Sequence, residues 1–123
     1  MKKILSLIVG LRATVAVAAG DAATVFETAG WIAPPAQTNN GALPIFRKEF
    51  CVAARPSNAT LRVVGLGDYD ALVNGARVAA TGINQPWSQY EKTIYYRDFD
   101  VTALLAPGTN CVGVMLANSF WNN

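Results

Sequence analysis

The chain has 123 residues, enough for one folded domain and too few for two, because smaller pieces bury too little surface to stand alone. It is 52% apolar and 15% charged with a net charge of +2, which excludes a disordered chain and the strongly basic surface expected of a nucleic-acid partner. It contains no His, which removes the commonest general base near neutral pH and every Ser-His or Cys-His nucleophile pair.

Residues 1–18 have the features of a secretory signal peptide. Lys2-Lys3 gives a basic start, an apolar run extends over 4–11, and Ala16-Val17-Ala18 matches the small-residue pattern that precedes cleavage. Arg12 interrupts the apolar stretch, so it is shorter than the roughly twenty residues that cross a bilayer. We therefore expect a secreted or periplasmic chain with no membrane attachment after cleavage. A retained membrane anchor and an ordinary buried helix are the alternatives.

Residues 19–44 form a lead-in segment rich in Pro, Gly and Asn, a composition that cannot sustain a helix or a central strand. Short apolar runs of period two follow, separated by turn residues. Asn74-Gly75 is a strong hairpin signal, because both central residues of a type I′ turn need positive φ. Asp98 and Asp100 flank a single predicted helical turn over 100–105 as expected cap residues. The expected strands are 45–53, 60–66, 69–73, 77–80, 92–99 and 110–117.

Strands of this length, with no long helical period among them, predict an all-β fold in which antiparallel sheets form a β-sandwich, commonly a jelly roll. Four segments carry a more specific resemblance: WIAPP, LPIFRKEF, LRVVGLGDYDALVNGARVA and WSQYEKTIYYRDFDVTALLAPGTNCVGVMLANSFWNN. In order and spacing they resemble the N-terminal carbohydrate-module region of bacterial α-L-rhamnosidases. The resemblance runs from about Trp31 to the end of the sequence and implies a galactose-binding-domain-like jelly roll over 45–123.

The resemblance also implies that the module is incomplete. In the family further strands follow, and well beyond them lies a helical barrel with the acidic catalytic residues. The family usually has a Gly-Trp-Tyr-like ending to the last matched strand, whereas this sequence has Ala117-Asn118-Ser119-Phe120-Trp121. We therefore expect a sandwich incomplete at its C-terminus, as a fragment of a glycoside hydrolase that lacks the catalytic barrel.

The two cysteines, Cys51 and Cys111, allow one disulfide if the chain is exported, and buried free thiols are the alternative. The resemblance implies that the strands holding them are neighbours, which makes this pair the disulfide candidate. In the chain-entropy model such a bridge would contribute on the order of 4 kcal/mol.

Sugar binding is favoured over catalysis, because aromatic faces pack on the apolar patches of a pyranose ring while amides bind its hydroxyls. The candidate carbohydrate-binding residues are Trp87, Tyr90, Trp121 and Asn118, with the amides Asn84, Gln85 and Asn122 near them in the sequence. The competing interpretation is that these aromatics plug the ends of the sandwich or pack against neighbouring domains. We predict no metal site and no cofactor, because no dense acidic loop is present; calcium enters only through the resemblance to modules that bind rhamnose through it.

Catalysis by this chain alone is not expected. Glycoside hydrolysis needs two carboxylates that face each other across the sugar, whereas Asp68 and Asp70 sit at a strand turn where structural roles predominate. The predicted function is a non-catalytic accessory module of an α-L-rhamnosidase, with a rhamnose-containing glycan or the catalytic domain of the parent enzyme as partner. A free-standing lectin-like module and a structural interaction module without sugar affinity are the alternatives.

Overall fold

The computed structural model describes residues 7–14, 30–34, 43–78 and 82–117. Within these ranges the chain forms short strands joined by turns, and a single 3₁₀ turn, Thr102–Leu104, lies between the last two strands. The strands are β1 Leu7–Thr14, β2 Ile45–Val52, β3 Asn58–Gly65, β4 Asp68–Val73, β5 Ala76–Arg77, β6 Arg97–Asp100 and β7 Gly108–Ala117.

The strands form two antiparallel sheets. One has the order β1-β3-β6 and the other the order β2-β7-β4-β5, so the long strand β7 lies inside the four-stranded sheet. The predicted all-β antiparallel sandwich is confirmed. In the part of the chain described above, no helix is long and apolar enough to span a bilayer.

The core lies between the inner faces of the two sheets. Period-two alternation sends every second residue of β4 and β7 inward, so Ala71, Val73 and Leu116 are fully buried while their neighbours face outward. Leu61 and Val63 of β3 close the core from the other sheet, both with no exposed surface. Burial of these aliphatic side chains is the main stabilising contribution, roughly 1.5–3 kcal/mol for each valine or leucine fully removed from water.

The backbone restricts the residue type at the Asn74-Gly75 turn and at Gly65. Asn74 has φ of 51° and Gly75 has φ of 81°, the positive pair that the predicted hairpin between β4 and β5 requires. At Gly65, a Cβ would lie 2.8 Å from Cδ1 of Tyr69 and 2.9 Å from the carbonyl oxygen of Gly67. Only glycine lets the buried Tyr69 ring approach the end of β3 so closely.

The predicted strand 92–99 is wrong in its first half, since β6 contains only Arg97–Asp100. The backbone before it is engaged by loop hydrogen bonds instead of a strand ladder. The N–H groups of Lys92 and Thr93 both donate to the carbonyl of Gln89 at 2.8 Å, and Gln85 Nε2 donates to the carbonyl of Tyr95 at 3.0 Å. A period-two pattern indicates alternation of side chains, but it does not show which partner takes the backbone groups.

The 3₁₀ turn has Val101 at its N-cap position and no side-chain cap hydrogen bond, so the prediction that Asp98 and Asp100 cap it is wrong. Asp100 contacts the turn from one residue before the N-cap. Asp100 Oδ1 accepts the N–H of Thr102 at 2.9 Å, and hydrogen bonds from Thr102 lower the pKa of this carboxyl. Asp98 has a different role: both of its carboxylate oxygens accept from the guanidinium of Arg62 on β3.

The predicted signal peptide and the predicted lead-in segment lie mostly outside the described residues. The described part of the leader is β1, which pairs with β3 along its whole length. Of the lead-in segment 19–44, residues 30–34 and 43–44 are described. Cleavage after Ala18 stays a prediction.

Candidate functional site

A pocket of about 220 Å³ opens on the outer face of the four-stranded sheet, where β4 and β7 meet the loop that begins at Gly82. The pairing register explains its composition. Asp68 is opposite Ala117 and Asp70 is opposite Met115, and residues directly opposite each other project from the same face of a sheet. The pocket is lined by Asp68, Tyr69, Asp70, Arg77, Gly82, Asn84, Met115 and Ala117.

An ion pair forms one wall of the pocket. Arg77 Nη2 lies 2.7 Å from Asp70 Oδ2, with side chains 54% and 20% exposed respectively. The hairpin at Asn74-Gly75 creates this pair, because it returns β5 beside β4 with Arg77 opposite Leu72, next to Asp70 on the same face. A guanidinium has five N–H donors and a carboxylate has about four acceptor sites, so both groups have further capacity to bind hydroxyl groups.

Asp68 anchors the loop at the other wall. Its Oδ1 accepts the backbone N–H of Asn84 at 2.9 Å and that of Gln85 at 3.2 Å. The Asn84 side chain extends this anchor, since its Nδ2 donates to the carbonyl of Tyr69 at 2.8 Å and its Oδ1 accepts from Arg97 at 3.3 Å. The loop therefore leaves the pocket from a fixed position.

Asn84 and Gln85 stood near the candidate aromatics in the sequence, but they are structural residues. They are 5% and 2% exposed, and their amides bind protein groups within the fold. They are therefore not available to bind a sugar hydroxyl from solution. Sequence proximity alone could not separate amides that face solvent from amides that hold a loop.

Trp87 is presented to solvent by the same loop. Its side chain is 68% exposed, three residues beyond the anchored Asn84. Ser88, the next residue, is 8% exposed, and its Oγ donates to the carbonyl of Thr93 at 2.7 Å. An exposed indole on a loop fixed at both sides is the arrangement that stacking on a sugar ring requires.

Of the other predicted sugar-binding residues, only Tyr90 lies within the described part of the chain. Tyr90 lies in the turn of the same loop and is partly buried. Trp121 and Asn118 lie outside the described residues. Asn118 directly follows Ala117, the last described residue of β7 and one that lines the pocket.

The sequence interpretation missed the pocket itself. It assigned Asp68 and Asp70 to a turn, whereas they form two walls of a site that Arg77 and Gly82 complete. The available signal was the alternation Asp-Tyr-Asp ahead of a hairpin turn, which places both carboxylates on one face and brings an arginine back beside them.

Tyr69 lies under this site. It is 2% exposed, and its hydroxyl has no hydrogen-bond partner among the described residues. Burial raises the pKa of this phenol well above its usual value; the charge of Arg97 opposes the shift and that of Asp68 adds to it. A buried phenol held neutral is a structural group, and we assign it no role in proton transfer.

Cys51 and Cys111 lie on neighbouring strands, as predicted, because β2 pairs with β7. The register is offset, however: Cys51 is opposite Thr109 and Cys111 is opposite Glu49. Both cysteines are free thiols, and Cys51 Sγ lies 3.7 Å from Thr109 Oγ1. Diagonal neighbours in an antiparallel pair have Cα atoms about 7–8 Å apart, beyond ordinary disulfide geometry. A bridge between them would require the strands to move.

The donor groups do not fit a hard cation. Calcium takes six or more oxygen ligands, but no group of three or more His, Cys, Asp or Glu residues that could hold a metal occurs among the described residues. Asp68 and Asp70 are the acids that line the pocket, and they already bind backbone N–H groups and Arg77.

Known proteins match both the sequence and the fold. The profile of the α-L-rhamnosidase N-terminal domain matches residues 54–123. An α-L-rhamnosidase of Formosa agariphila is 32% identical over 92 residues, which cover 75% of this chain and 10% of that protein. An α-L-rhamnosidase of Streptomyces avermitilis is 32% identical over 93 residues, which cover 75% of this chain and 9% of that protein.

Solved structures agree. The Streptomyces avermitilis α-L-rhamnosidase, solved in complex with L-rhamnose, superposes with a TM-score of 0.57 at 34% identity over 59% of this chain and 7% of that one. The enzyme of Dictyoglumus thermophilum superposes with a TM-score of 0.63 at 24% identity over 94% of this chain and 12% of that one, which supports the fold alone. The chain spans about a tenth of the length of the curated relatives. The chain belongs to the family of α-L-rhamnosidase N-terminal domains.

Proposed function

We propose that this chain is a non-catalytic accessory domain of an α-L-rhamnosidase-type glycoside hydrolase and that it binds a rhamnose-containing glycan. The observation that carries the proposal is the exposed indole of Trp87 on a loop that starts at the charged pocket of Asp70 and Arg77. The pocket supplies groups that bind hydroxyls, and the loop that begins at its rim carries an exposed aromatic face that could stack on a sugar ring.

The size and chemistry of the pocket favour a small polyol. Its volume of about 220 Å³ is below the 300–1,000 Å³ typical of larger ligands. Asp70 accepts hydroxyl hydrogens and Arg77 donates to hydroxyl oxygens, while Met115 supplies an apolar surface, 37% exposed, for the methyl group of a 6-deoxy sugar. The solved complex of the Streptomyces avermitilis relative with L-rhamnose makes L-rhamnose the first ligand to test.

We propose no hydrolytic role for the pocket carboxylates. A retaining or inverting glycosidase needs one carboxylic acid that gives a proton to the leaving oxygen and a second carboxylate that acts from the opposite side of the ring. Asp68 accepts the N–H groups of the loop, Asp70 pairs with Arg77, and both project from the same face of β4. These contacts make the two acids walls and anchors of the pocket.

A second candidate function is docking against the catalytic domain of the parent enzyme, without sugar affinity. Exposed apolar side chains outside the pocket favour it: Trp31 is 47% exposed, Ile32 42% and Ile83 71%. Large apolar groups at the surface of a small domain are typical of an interface. In this case Trp87 would also pack against protein.

Isothermal titration of the full chain with L-rhamnose, with D-galactose as the control sugar, separates the two functions. Sugar binding predicts saturable heat with L-rhamnose that falls by at least about tenfold in affinity in Trp87→Ala and in Arg77→Met, because each removes a main contact. Trp31→Ala is the matched control, an exposed tryptophan outside the pocket, and should bind as the unaltered chain does. Absence of heat from a folded sample contradicts sugar binding and leaves docking. Added calcium should leave the heat unchanged.

We also infer that the chain is exported to the periplasm or the medium. The support is the basic start, the apolar run interrupted at Arg12 and the small residues Ala16-Val17-Ala18. Expression in a bacterial host with mass measurement of the recovered chain tests this. A mass that begins at Ala19 supports export, whereas an intact N-terminus in the cytosol contradicts it.

A further inference from the structure

Strand β3 pairs with a different strand along each of its two edges. On one edge it pairs with β6 at four positions, from Thr60 opposite Asp100 to Val63 opposite Arg97. On the other edge it pairs with β1 at every position, from Leu7 opposite Gly65 to Thr14 opposite Asn58. β3 is therefore the central strand of its sheet only while Leu7–Thr14 is attached.

β3 has the burial of an interior strand. Leu61 and Val63 are fully buried on the core side, and Arg62 and Val64 are 8% and 4% exposed on the other side. A strand buried on both faces normally has both edges paired, because unpaired backbone N–H and C=O groups next to an apolar surface are costly. Arg62, the charged residue of β3, is already paired with Asp98 on β6.

The strand that completes this sheet coincides with the predicted leader. Residues 7–14 lie within the predicted signal peptide 1–18, and removal of that peptide would expose the β3 edge over the eight residues of the strand. The existence of this edge follows from the register; its opening in the exported chain rests on the predicted cleavage.

We propose that the β3 edge is a docking site for an extended apolar peptide strand supplied in trans, which pairs antiparallel as Leu7–Thr14 does. The occupant is defined by chemistry: a continuous, proline-free backbone that donates to and accepts from the ladder, with apolar side chains along it. The leader sequence shows which chemistry fits, because LIVGLRAT has one charge in eight residues and takes the full length of β3. Arg62 is already paired with Asp98, so the docking strand needs no acidic side chain. Its main-chain hydrogen bonds and apolar side chains supply the recognition of the β3 edge.

Hydrogen exchange of the full chain tests the pairing itself. Val9→Pro with Gly10→Pro removes adjacent N–H groups, of which one must point toward β3, since successive N–H groups of a strand point to opposite edges. The double proline substitution should raise the exchange rates of the β3 amides by at least about tenfold, while the exchange rates of the β7 amides change little. Ala22→Pro with Ala23→Pro, outside β1, is the matched control and should leave β3 protected. Equal exchange of β3 in the three chains overturns the proposal.

A second experiment tests docking in trans and does not depend on natural processing. A full chain with a protease recognition sequence in place of residues 20–26 is folded, cut, and incubated with excess labelled peptide of residues 1–14. We expect one labelled peptide per chain by native mass spectrometry, with β3 amides still protected. The peptide that carries Val9→Pro and Gly10→Pro should not enter. Failure of the unaltered peptide to enter, or equal entry of the proline peptide, overturns docking in trans.

Discussion

Asn74 Nδ2 donates to Asn110 Oδ1 at 2.8 Å, which joins the β4–β5 hairpin to the first residues of β7. Both amides have further partners. Asn74 Nδ2 also donates to the carbonyl of Leu104, and its Oδ1 accepts the N–H of Cys111 at 2.8 Å. Asn110, 1% exposed, accepts the N–H of Ala106 and donates to the carbonyls of Ala106 and Gly108. Two side chains thus add to the backbone hydrogen bond from the Asn74 N–H to the Cys111 carbonyl, where the pairing of β4 with β7 ends.

We predict that this pair is energetically coupled. Asn74→Gly keeps a residue that tolerates positive φ and removes only the side chain, so it should lower the free energy of unfolding by about 1–3 kcal/mol. Asn110→Ala should cost more, because it removes the hydrogen bonds with both backbone groups of Ala106 and with the Gly108 carbonyl as well as the one from Asn74. Denaturant unfolding of both single variants and the double variant measures the coupling. A double variant whose loss equals the sum of the single losses contradicts it.

The ion pair between Arg62 and Asp98 should stabilise the sandwich more than a surface pair does. Nε and Nη2 of Arg62 bind the two carboxylate oxygens at 2.6 and 2.5 Å, and its guanidinium lies 4.3 Å from the ring centre of Tyr96. The hydrogen bonds that Arg62 donates to the Asp98 carboxylate raise the pKa of Arg62. The Asp98 side chain is 39% exposed, so we expect Asp98→Asn to cost only about 1–2 kcal/mol.

The matched control is the exposed pair Arg47–Glu49, whose side chains are 63% and 55% exposed. Glu49→Gln should change the free energy of unfolding much less than Asp98→Asn does, because water screens the exposed pair. Thermal or denaturant unfolding at the same ionic strength compares the two variants. If Asp98→Asn and Glu49→Gln lower the free energy of unfolding equally, burial of Arg62 does not strengthen its ion pair with Asp98.

Tyr69→Phe should preserve or raise stability. The Tyr69 hydroxyl is buried and has no partner among the described residues, and leaving such a group unsatisfied costs about 1–3 kcal/mol. Removal of the oxygen should therefore give a free energy of unfolding equal to or above that of the unaltered chain. Tyr69→Leu is the control for loss of the ring and should be clearly destabilising. A loss of more than about 1 kcal/mol in Tyr69→Phe would show that the hydroxyl is bonded, for example to an internal water.

The register of β2 against β7 predicts the behaviour of the thiols. In the unaltered chain Cys51 and Cys111 should both react with a thiol reagent under native conditions, the exposed Cys51 faster. Thr109→Cys with Cys111→Ser puts the second thiol directly opposite Cys51 and should form a disulfide more completely in the same glutathione buffer. Thiol counting and a mass loss measure the bridge. If the unaltered chain closes as readily, the strands move relative to the observed register.

The sequence predicted the strands and the hairpin well, because alternation in 110–117 and the Asn74-Gly75 signal depend on local chemistry. It did not predict the pocket. The register of β4 with β5 brings Arg77 to Asp70, and the returning loop brings Gly82 to the same pocket. The sequence also missed the side-chain role of Asn74, whose partners lie 30 to 37 residues further along the chain. Local sequence patterns determine which strands and turns form. Contacts between residues distant in the sequence determine which polar side chains remain available to bind a ligand.

The segment before β6 shows how tertiary contacts can prevent a strand that the local pattern predicts. Its period-two pattern predicted a strand from residue 92, but Ser88 and Gln85 take backbone carbonyls of that segment. A buried glutamine that bonds the carbonyl of Tyr95 cannot be inferred from alternation, because the loop must first fold back over the end of β3.

Backbone and tryptophan side-chain NMR of the full chain during titration with L-rhamnose tests the central claim most directly, because it reports where the sugar binds as well as whether it binds. We predict saturable shifts of the Trp87 indole N–H and of amides in Asp68–Asp70, Arg77 and Gly82, with the Trp31 indole unchanged. Unchanged spectra of a folded chain at high L-rhamnose concentration, or shifts that lie only outside the pocket and the Trp87 loop, would contradict the claim.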